Sequence, residues 1–189
     1  MQAVIKALII DLDGVVYRGN TAIPGVQKAI EELKSIGKLL FLTNNATLTR
    51  ADYVKKLDRM GIKTSVNEIL TSAYAAAVYL ERDGKGSKVY AIGEKGLKSE
   101  LKAKGFKLLS LKKAEDADYV VVGLDRKFNY KKLTAGLKAI LKGAKFIATN
   151  TDATWPYEKG VLPGAGSMVA ALEACSKVKP IVIGKPSRI

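Results

Sequence analysis

The sequence predicts an α/β fold with a mainly parallel sheet. Apolar runs of strand length alternate with segments of helical periodicity along the whole chain, which is typical of parallel strands covered by helices. The strand runs are continuously apolar, as expected for strands that are buried on both faces. With 48% hydrophobic residues, a chain of 189 residues can build a sizeable core.

The first part of the chain is predicted to form strand and helix units. Pro24 suits the first turn of a helix and Gly37 its end, while Thr49 is a good N-cap for the next helix. The predicted elements are strand Val4–Ile10, a helix from Pro24 to Gly37, strand Leu39–Leu42, a helix from Thr49 to Gly61, a strand around Ile69 and helix Ser72–Glu81.

A turn-rich segment at Asp83–Ser87 separates this part from a second series of elements. The predicted elements beyond it are strand Val89–Ile92, helix Glu94–Lys104, strands Phe106–Leu109 and Tyr119–Leu124, helix Tyr130–Leu141, strand Lys145–Ala148, a loop Thr149–Gly166, helix Ser167–Ser176 and strand Ile181–Ile183.

The composition excludes several kinds of chemistry. The chain has no histidine, so it has no Ser-His-Asp or Cys-His pair and no histidine-ligated zinc. Cys175 is the one cysteine, which excludes an intrachain disulfide and fits a reducing compartment. Neither a leader nor an apolar run long enough for a bilayer is found. We therefore expect a cytoplasmic protein without a membrane partner.

The net charge is strongly positive, because the chain has 32 Lys and Arg residues and 18 Asp and Glu residues, which gives a formal net charge of +14. Such a surface can attract phosphorylated molecules or nucleic acid. It is also typical of the lysine-rich, solvated surface of heat-stable proteins. The lysines are spaced along predicted helices with few aromatic residues between them. We therefore favour a thermostable protein and do not expect nucleic acid as its partner.

Two aspartates follow the first predicted strand. Asp11 and Asp13 project to the same side of an extended chain, with Leu12 pointing into the core. Ligands of open α/β sheets bind beyond the carboxyl ends of the strands. Paired carboxylates suit a hard divalent ion, and Mg²⁺ fits best when phosphate is also bound. The alternative is an acidic turn after a strand.

Two further segments follow predicted strands in the same way. Thr43, Asn44 and Asn45 offer a hydroxyl, amides and backbone N–H groups to a phosphate oxygen. Lys185 follows the last strand, where it can neutralise a phosphoryl group. Taken alone, the first of these segments is more typical of a turn, and the second of a solvent-exposed lysine. The three segments together indicate a phosphate site.

These segments, Asp11-Leu12-Asp13-Gly14, Thr43-Asn44-Asn45 and Gly184-Lys185-Pro186-Ser187, resemble the first three motifs of the haloacid dehalogenase superfamily of phosphatases. The chain is most similar to the class IIA branch of nitrophenylphosphatases and phosphoglycolate phosphatases. The resemblance implies a Rossmann-like core with a parallel sheet, at residues 1–71 and 166–189, and an inserted α/β cap domain at residues 72–165.

The resemblance also implies roles for the motif residues. Asp11 would be the nucleophile that forms an aspartyl-phosphate, and Asp13 the general acid and base. The Asp11 carboxylate and the backbone carbonyl of Asp13 would ligate Mg²⁺. Thr43 and the Asn44 backbone would hold phosphoryl oxygens, and Lys185 would stabilise their charge.

The cap would close over the site and select the substrate, a small phosphorylated metabolite. Asn150 and Asp152 lie in the long predicted loop and are the candidate cap residues that face the site. The alternative for each is a solvated turn residue.

The sequence departs from the family pattern at its end. Members continue past the Gly-Lys-Pro-Ser motif to a strand and an acidic motif that supplies the remaining Mg²⁺ ligand, whereas this sequence ends at Ile189. Either the sequence is a fragment of a longer protein, or it is a natural truncation with an incomplete core and an impaired metal site. An exposed sheet edge would also favour self-association as a homo-oligomer.

The expected function is Mg²⁺-dependent hydrolysis of phosphomonoesters. The alternative from another class is a non-catalytic basic protein that binds nucleic acid or an acidic partner. A dinucleotide-binding dehydrogenase is disfavoured because no Gly-x-Gly-x-x-Gly follows the first strand, and the chain has no P-loop motif.

Overall fold

The computed structural model describes residues 6–157 and 160–188 and confirms the predicted α/β class. The strands are β1 Ala7–Asp11, β2 Tyr17–Arg18, β3 Thr21–Ala22, β4 Lys38–Thr43, β5 Ile69–Thr71, β6 Lys88–Ile92, β7 Lys107–Leu108, β8 Tyr119–Val122, β9 Lys145–Ala148, β10 Thr154–Tyr157, β11 Gly160–Pro163 and β12 Ile181–Val182. The helices are α1 Val26–Ile36, α2 Arg50–Arg59, α3 Ser72–Asp83, α4 Lys95–Ala103, α5 Tyr130–Leu141 and α6 Ala165–Ser176. Among the described residues, no helix is long and apolar enough to cross a membrane.

The smaller of the two parallel sheets has the order β1-β4-β5. Its central strand β4 pairs with both neighbours, so that Asp11 lies beside Leu42 and Thr43 beside Thr71. Phe41, Tyr53 and other buried side chains of β4, α1 and α2 form its core. The first strand was predicted from Val4, but residues 1–5 lie outside the described part of the chain.

The larger sheet has five parallel strands in the order β12-β9-β8-β6-β7. It is covered on both faces, because Tyr119 and Val121 of β8 pack with α3 and α4, while Val120 and Val122 pack with α5 and α6. All four side chains are fully buried. This two-sided burial is the physical reason for the unbroken apolar runs in the sequence.

The last helix and strand belong to the larger sheet. The sequence predicts that the chain returns to the core domain at residue 166, but β12 pairs with β9 and α6 packs in the core of the five-stranded sheet. A short apolar strand carries no signal for which sheet it joins, since pairing is not a local property. The division into a core and a cap at residues 71 and 72 stays a prediction.

Two short antiparallel hairpins were not predicted. Strands β2 and β3 form one directly after the first acidic motif, and β10 and β11 form the other within the predicted loop Thr149–Gly166. Pro156 and Pro163 lie in the second hairpin. Proline is tolerated there because each strand has a free edge, yet it conceals the strand signal in the sequence.

The two sheets are joined by the N-terminus of α4. The Gly96 and Leu97 N–H groups donate to the Thr47 and Ala46 carbonyl oxygens at 2.9 and 3.0 Å. These carbonyls satisfy helix N–H groups that have no partner within the helix. A Cβ atom on Gly96 would lie only 2.3 Å from the Leu48 oxygen. Glycine is therefore required for the close approach of α4 to the loop after β4.

An ion pair lies beside this junction. Arg50 Nε donates to Glu100 Oε1 at 3.1 Å, and the Arg50 guanidinium lies 3.7 Å from the ring centroid of Tyr74. The Glu100 carboxylate is buried, with 8% of its side chain exposed. The arginine thus gives a charged partner to a carboxylate that burial alone would destabilise.

We expect the Gly96→Ala substitution to lower the free energy of unfolding by about 1–3 kcal/mol, because backbone oxygens must move to admit the Cβ atom. Urea unfolding monitored by circular dichroism measures the change. Lys102→Ala, at an exposed position of the same helix, is the control and should change stability by less than about 0.5 kcal/mol. Equal stability of the two variants would contradict the tight contact.

Asp83 should make stability depend on pH. A hydrogen bond from Lys145 and a second from the Tyr119 hydroxyl hold the pKa of the Asp83 carboxyl below its usual value. The stability that the Asp83 carboxylate contributes is therefore fully present above the pKa of about 3.9 that it has in the unfolded chain. This stability is lost as the pH falls through the lower pKa of the folded state.

We expect Asp83→Asn to unfold at lower urea concentration than the wild type at pH 7, with the difference shrinking towards pH 3. Asp58→Asn removes an exposed ion pair with Lys63 and should have little effect at either pH. A difference for Asp83→Asn that is the same at both pH values would contradict this account.

Candidate active site

The carboxyl ends of strands from both sheets meet around one cavity of about 610 Å³. Parallel strands place the loops that follow them at the same edge, which is why residues distant in sequence converge there. The cavity lining includes all seven residues singled out from the sequence, which are Asp11, Asp13, Thr43, Asn44, Asn150, Asp152 and Lys185.

Asp11 lies at the end of β1, and one of its two carboxylate oxygens makes two polar contacts. Lys185 Nζ lies 2.9 Å from Asp11 Oδ1, and the Leu12 N–H donates to the same atom at 2.8 Å. The side chain is still 41% exposed. The second oxygen, Oδ2, therefore remains available to a ligand in the cavity. Leu12 is fully buried, as the alternation along the strand predicts.

Asp13 is held by the buried hydroxyl of Thr43. Thr43 Oγ1 donates to Asp13 Oδ2 at 2.9 Å and accepts from the Asn45 N–H at 3.0 Å. The role in holding a phosphoryl oxygen that the resemblance implies for this hydroxyl stays a prediction; in the structure its single proton is directed at Asp13. The reason is that β4 pairs with β1, a pairing that brings the end of β4 close to the residues after β1.

Two tyrosines beneath Asp13 were not predicted. Tyr17 and Tyr53 are fully buried; burial, together with the nearby Asp13 carboxylate, raises the pKa of both phenols. They therefore stay neutral and can act as hydrogen-bond donors. Lys56 Nζ lies 3.6 Å from the centroid of the Tyr17 ring, and burial lowers the pKa of this lysine.

Asn150 and Asp152 enter the cavity from the loop after β9. Asn150 Nδ2 donates to Asp152 Oδ2 at 3.0 Å, and Thr149 Oγ1 donates to Asn150 Oδ1 at 3.0 Å. The Asp152 main chain is also fixed, because the Gly166 N–H at the start of α6 donates to its oxygen at 2.9 Å. The cavity-facing position expected for both residues is therefore present in the structure.

Asn44 connects the loops of the two sheets. Asn44 Nδ2 donates to Asp152 Oδ2 at 2.9 Å and to the Lys185 oxygen at 3.1 Å. Asn44 Oδ1 accepts from the Lys185 N–H at 2.9 Å. The sequence did not predict these side-chain contacts, because a residue pattern contains no information on which distant loop a side chain will meet.

One wall of the cavity is largely apolar and was also missed. It includes Leu124, Trp155 and Pro156. The Trp155 and Tyr157 rings of hairpin strand β10 pack edge to face with centroids 5.9 Å apart. The lone tryptophan of the sequence was the available signal, since binding cavities commonly combine aromatic surface with a few polar groups.

The Asp11 carboxylate and the backbone carbonyl of Asp13 are oxygen ligands that suit a magnesium ion. Both residues line the cavity, and Mg²⁺ in phosphate sites is commonly bound through one or two carboxylates, waters and the phosphate itself. The described residues contain no group of three His, Cys, Asp or Glu side chains that could hold a metal. A metal at this place would therefore depend on the Asp11 carboxylate, the Asp13 backbone carbonyl, the phosphate and water.

The chain matches the haloacid dehalogenase-like hydrolases over residues 8–107. It is 41% identical over 185 residues to an acid sugar phosphatase of Staphylococcus saprophyticus, covering 97% of this chain and 70% of that protein.

Two solved structures are also similar. A p-nitrophenyl phosphatase from Archaeoglobus fulgidus superposes with a TM-score of 0.88 at 37% identity, covering 96% of this chain and 69% of that one. A glycerol phosphate phosphatase of Mycobacterium tuberculosis in complex with magnesium has a TM-score of 0.88 at 34% identity, covering 96% of this chain and 55% of that one. The latter protein has also been solved with calcium. The chain therefore belongs to the haloacid dehalogenase-like hydrolase family and, within it, to the phosphatases.

Proposed function

We propose that the chain hydrolyses small phosphomonoesters with Mg²⁺ through an aspartyl-phosphate on Asp11. The observation that carries the proposal is the contact between Asp11 Oδ1 and Lys185 Nζ at 2.9 Å in an open cavity. The pair orients a carboxylate while leaving its second oxygen exposed to a ligand. Asp13, the second carboxylate needed for acid and base chemistry, lines the same cavity.

In the first step, Asp11 Oδ2 attacks the phosphorus atom and the bond to the ester oxygen breaks. The ester oxygen takes a proton from Asp13 and leaves as an alcohol. In the second step, Asp13 accepts a proton from water, and the water oxygen attacks the phosphorus of the acyl phosphate. Inorganic phosphate and the free Asp11 carboxylate result, so the protein is unchanged after one cycle.

In the proposed mechanism the two oxygens of Asp13 have different tasks. Oδ2 accepts the Thr43 hydroxyl proton at 2.9 Å, which leaves Oδ1 as the atom that exchanges a proton with the substrate. Thr43 is buried, and its hydroxyl oxygen also accepts from the Asn45 N–H. It therefore fixes the orientation of Asp13 rather than reacting itself.

Charge stabilisation is the main demand of phosphoryl transfer. Asp11, Asp13 and Asp152 all line the cavity, so an incoming phosphate meets negative charge that Lys185 offsets only in part. Mg²⁺ held by Asp11 and Asp13 would supply further positive charge next to the phosphoryl oxygens when bound.

The cavity and the relatives support the proposed substrate class. The relatives are named acid sugar phosphatase, p-nitrophenyl phosphatase and glycerol phosphate phosphatase, names that indicate phosphomonoester substrates for those proteins. A cavity of about 610 Å³ with an apolar wall and the Asp152 carboxylate suits a small metabolite that has both ring or carbon surface and hydroxyl groups.

The ion pairs of the lysine-rich surface favour a solvated surface over one that binds nucleic acid. Many surface lysines lie in ion pairs with acidic neighbours, including Lys95 with Asp52, Lys104 with Glu81 and Lys142 with Glu115. Pairs of this kind reduce the local positive charge that a nucleic acid would require.

The Asp11→Asn variant should lose phosphatase activity by at least about 10³-fold, because an amide cannot form the acyl phosphate. Release of p-nitrophenol from p-nitrophenyl phosphate, with Mg²⁺ and with EDTA, measures the effect. Asp58→Asn, an exposed carboxylate on α2, is the control and should retain wild-type activity. Full activity of Asp11→Asn would exclude the aspartyl-phosphate route.

Lys185→Met should lower kcat/KM by about 10²–10³-fold, because it removes a cation directed at developing charge. The substitution should also raise the inhibition constant of orthovanadate, an analogue of the phosphoryl group, because binding of the analogue becomes weaker. Lys179→Met changes an exposed lysine near the same strand and should alter neither quantity. Unchanged vanadate inhibition in Lys185→Met would show that this lysine does not contact the phosphoryl group.

A further inference from the structure

We propose that the side chain of Asn44 is a positioning residue that holds the main chain of Lys185 so that its ammonium group reaches Asp11. The inference rests on the proposed function, since it assigns Asn44 a part in that reaction. It differs from the expected role of the Asn44 backbone, which concerns the phosphate itself. Asn44 would act through Lys185 and not by contact of its side chain with substrate.

One amide group occupies both polar main-chain groups of the lysine. Asn44 Oδ1 accepts from the Lys185 N–H at 2.9 Å, and Asn44 Nδ2 donates to the Lys185 oxygen at 3.1 Å. This pair imitates the hydrogen bonds that a neighbouring strand would provide. Because β12 ends at Val182, no strand pairing extends to Lys185, and the amide takes its place.

The orientation of the amide is determined by its surroundings. Nδ2 faces two acceptors, the Asp152 carboxylate at 2.9 Å and the Lys185 oxygen at 3.1 Å. In the reversed orientation, Asn44 Oδ1 would face both acceptors and Nδ2 would face the Lys185 N–H. All three hydrogen bonds would then be lost, so only one orientation satisfies the groups present.

The residue before the lysine permits the close approach. A Cβ atom at Gly184 would lie 2.5 Å from Asn44 Oδ1 and 2.4 Å from the Thr149 oxygen. The Gly184 N–H donates to that same Thr149 oxygen at 2.8 Å. Glycine at this place therefore lets the lysine loop lie against Asn44 and the end of β9 together.

The Asn44 main chain is anchored as well. Ser72 Oγ donates to the Asn44 oxygen at 2.6 Å, and β4, which ends one residue earlier, pairs with β1 so that Leu42 lies beside Asp11. The position of Asn44 is thus set by the same strand pair that sets Asp11. The hydrogen bonds of the Asn44 amide then fix the main chain of Lys185, which follows a strand of the other sheet, relative to Asp11.

The first test is a double-mutant cycle with Asn44→Ala, Lys185→Met and the double variant, using p-nitrophenyl phosphate and Mg²⁺. We expect Asn44→Ala to lower kcat by about 10–100-fold with a smaller change in KM, because a misplaced lysine still leaves the cavity open. The double variant should be no slower than Lys185→Met alone. Independent, multiplicative losses would overturn the proposal.

The second test does not require activity. Amide hydrogen exchange of Lys185, followed by NMR, should be at least about 10-fold faster in Asn44→Ala than in the wild type, because the acceptor is removed. Asn129→Ala removes the N-cap of α5, where Asn129 Oδ1 accepts from the Lys132 N–H at 3.1 Å, and should leave Lys185 exchange unchanged. Unchanged exchange in Asn44→Ala would overturn the proposal whatever the kinetics show.

A third variant separates positioning from folding. Asn44→Asp keeps the acceptor for Lys185 but places a carboxylate against Asp152, so protection of Lys185 should fall. Adding Asp152→Asn restores a donor opposite the new carboxylate and should recover part of the protection. Failure of this rescue would count against the proposed contact. If the wild-type chain releases no phosphate, the proposed function fails, while the exchange measurements still decide the role of Asn44.

Discussion

The arrangement of this molecule depends on the meeting of two parallel sheets at their carboxyl ends. The contact that defines the meeting point is the ion pair of Asp11 and Lys185 at 2.9 Å, because Asp11 is the last residue of β1 and Lys185 follows β12. Each sheet alone would carry half of the charged groups. The cavity and its chemistry exist only because both sheets direct their strand ends to the same place.

Polar side chains around the ion pair form a continuous series of hydrogen bonds. Thr149 contacts Asn150, Asn150 contacts Asp152, and Asp152 and Lys185 both contact Asn44. Most members of the series are short side chains with few rotatable bonds, so little conformational entropy opposes their ordering. A site of this kind can be rigid although it is built from loops.

The fold class and the place of the site could be predicted because both depend on local signals. Continuous apolar runs indicate buried strands, and polar residues directly after them indicate a ligand edge. The sheet to which β12 belongs, the hairpin of β10 and β11 and the proton donated by Thr43 to Asp13 could not be predicted. Each depends on a contact between residues distant in sequence, about which a pattern within one segment is silent.

The junction at Gly96 also links ligand binding in the cavity to the packing of α4. Main-chain hydrogen bonds from α4 end on Ala46 and Thr47, in the loop that begins with Asn44. A ligand that orders this loop therefore also favours the docked position of α4. By thermodynamic linkage the effect is reciprocal, so undocking of α4 would lower the affinity of such a ligand by the factor by which the ligand favours docking. A contact between two backbones that no ligand touches would in this way contribute to affinity at the cavity.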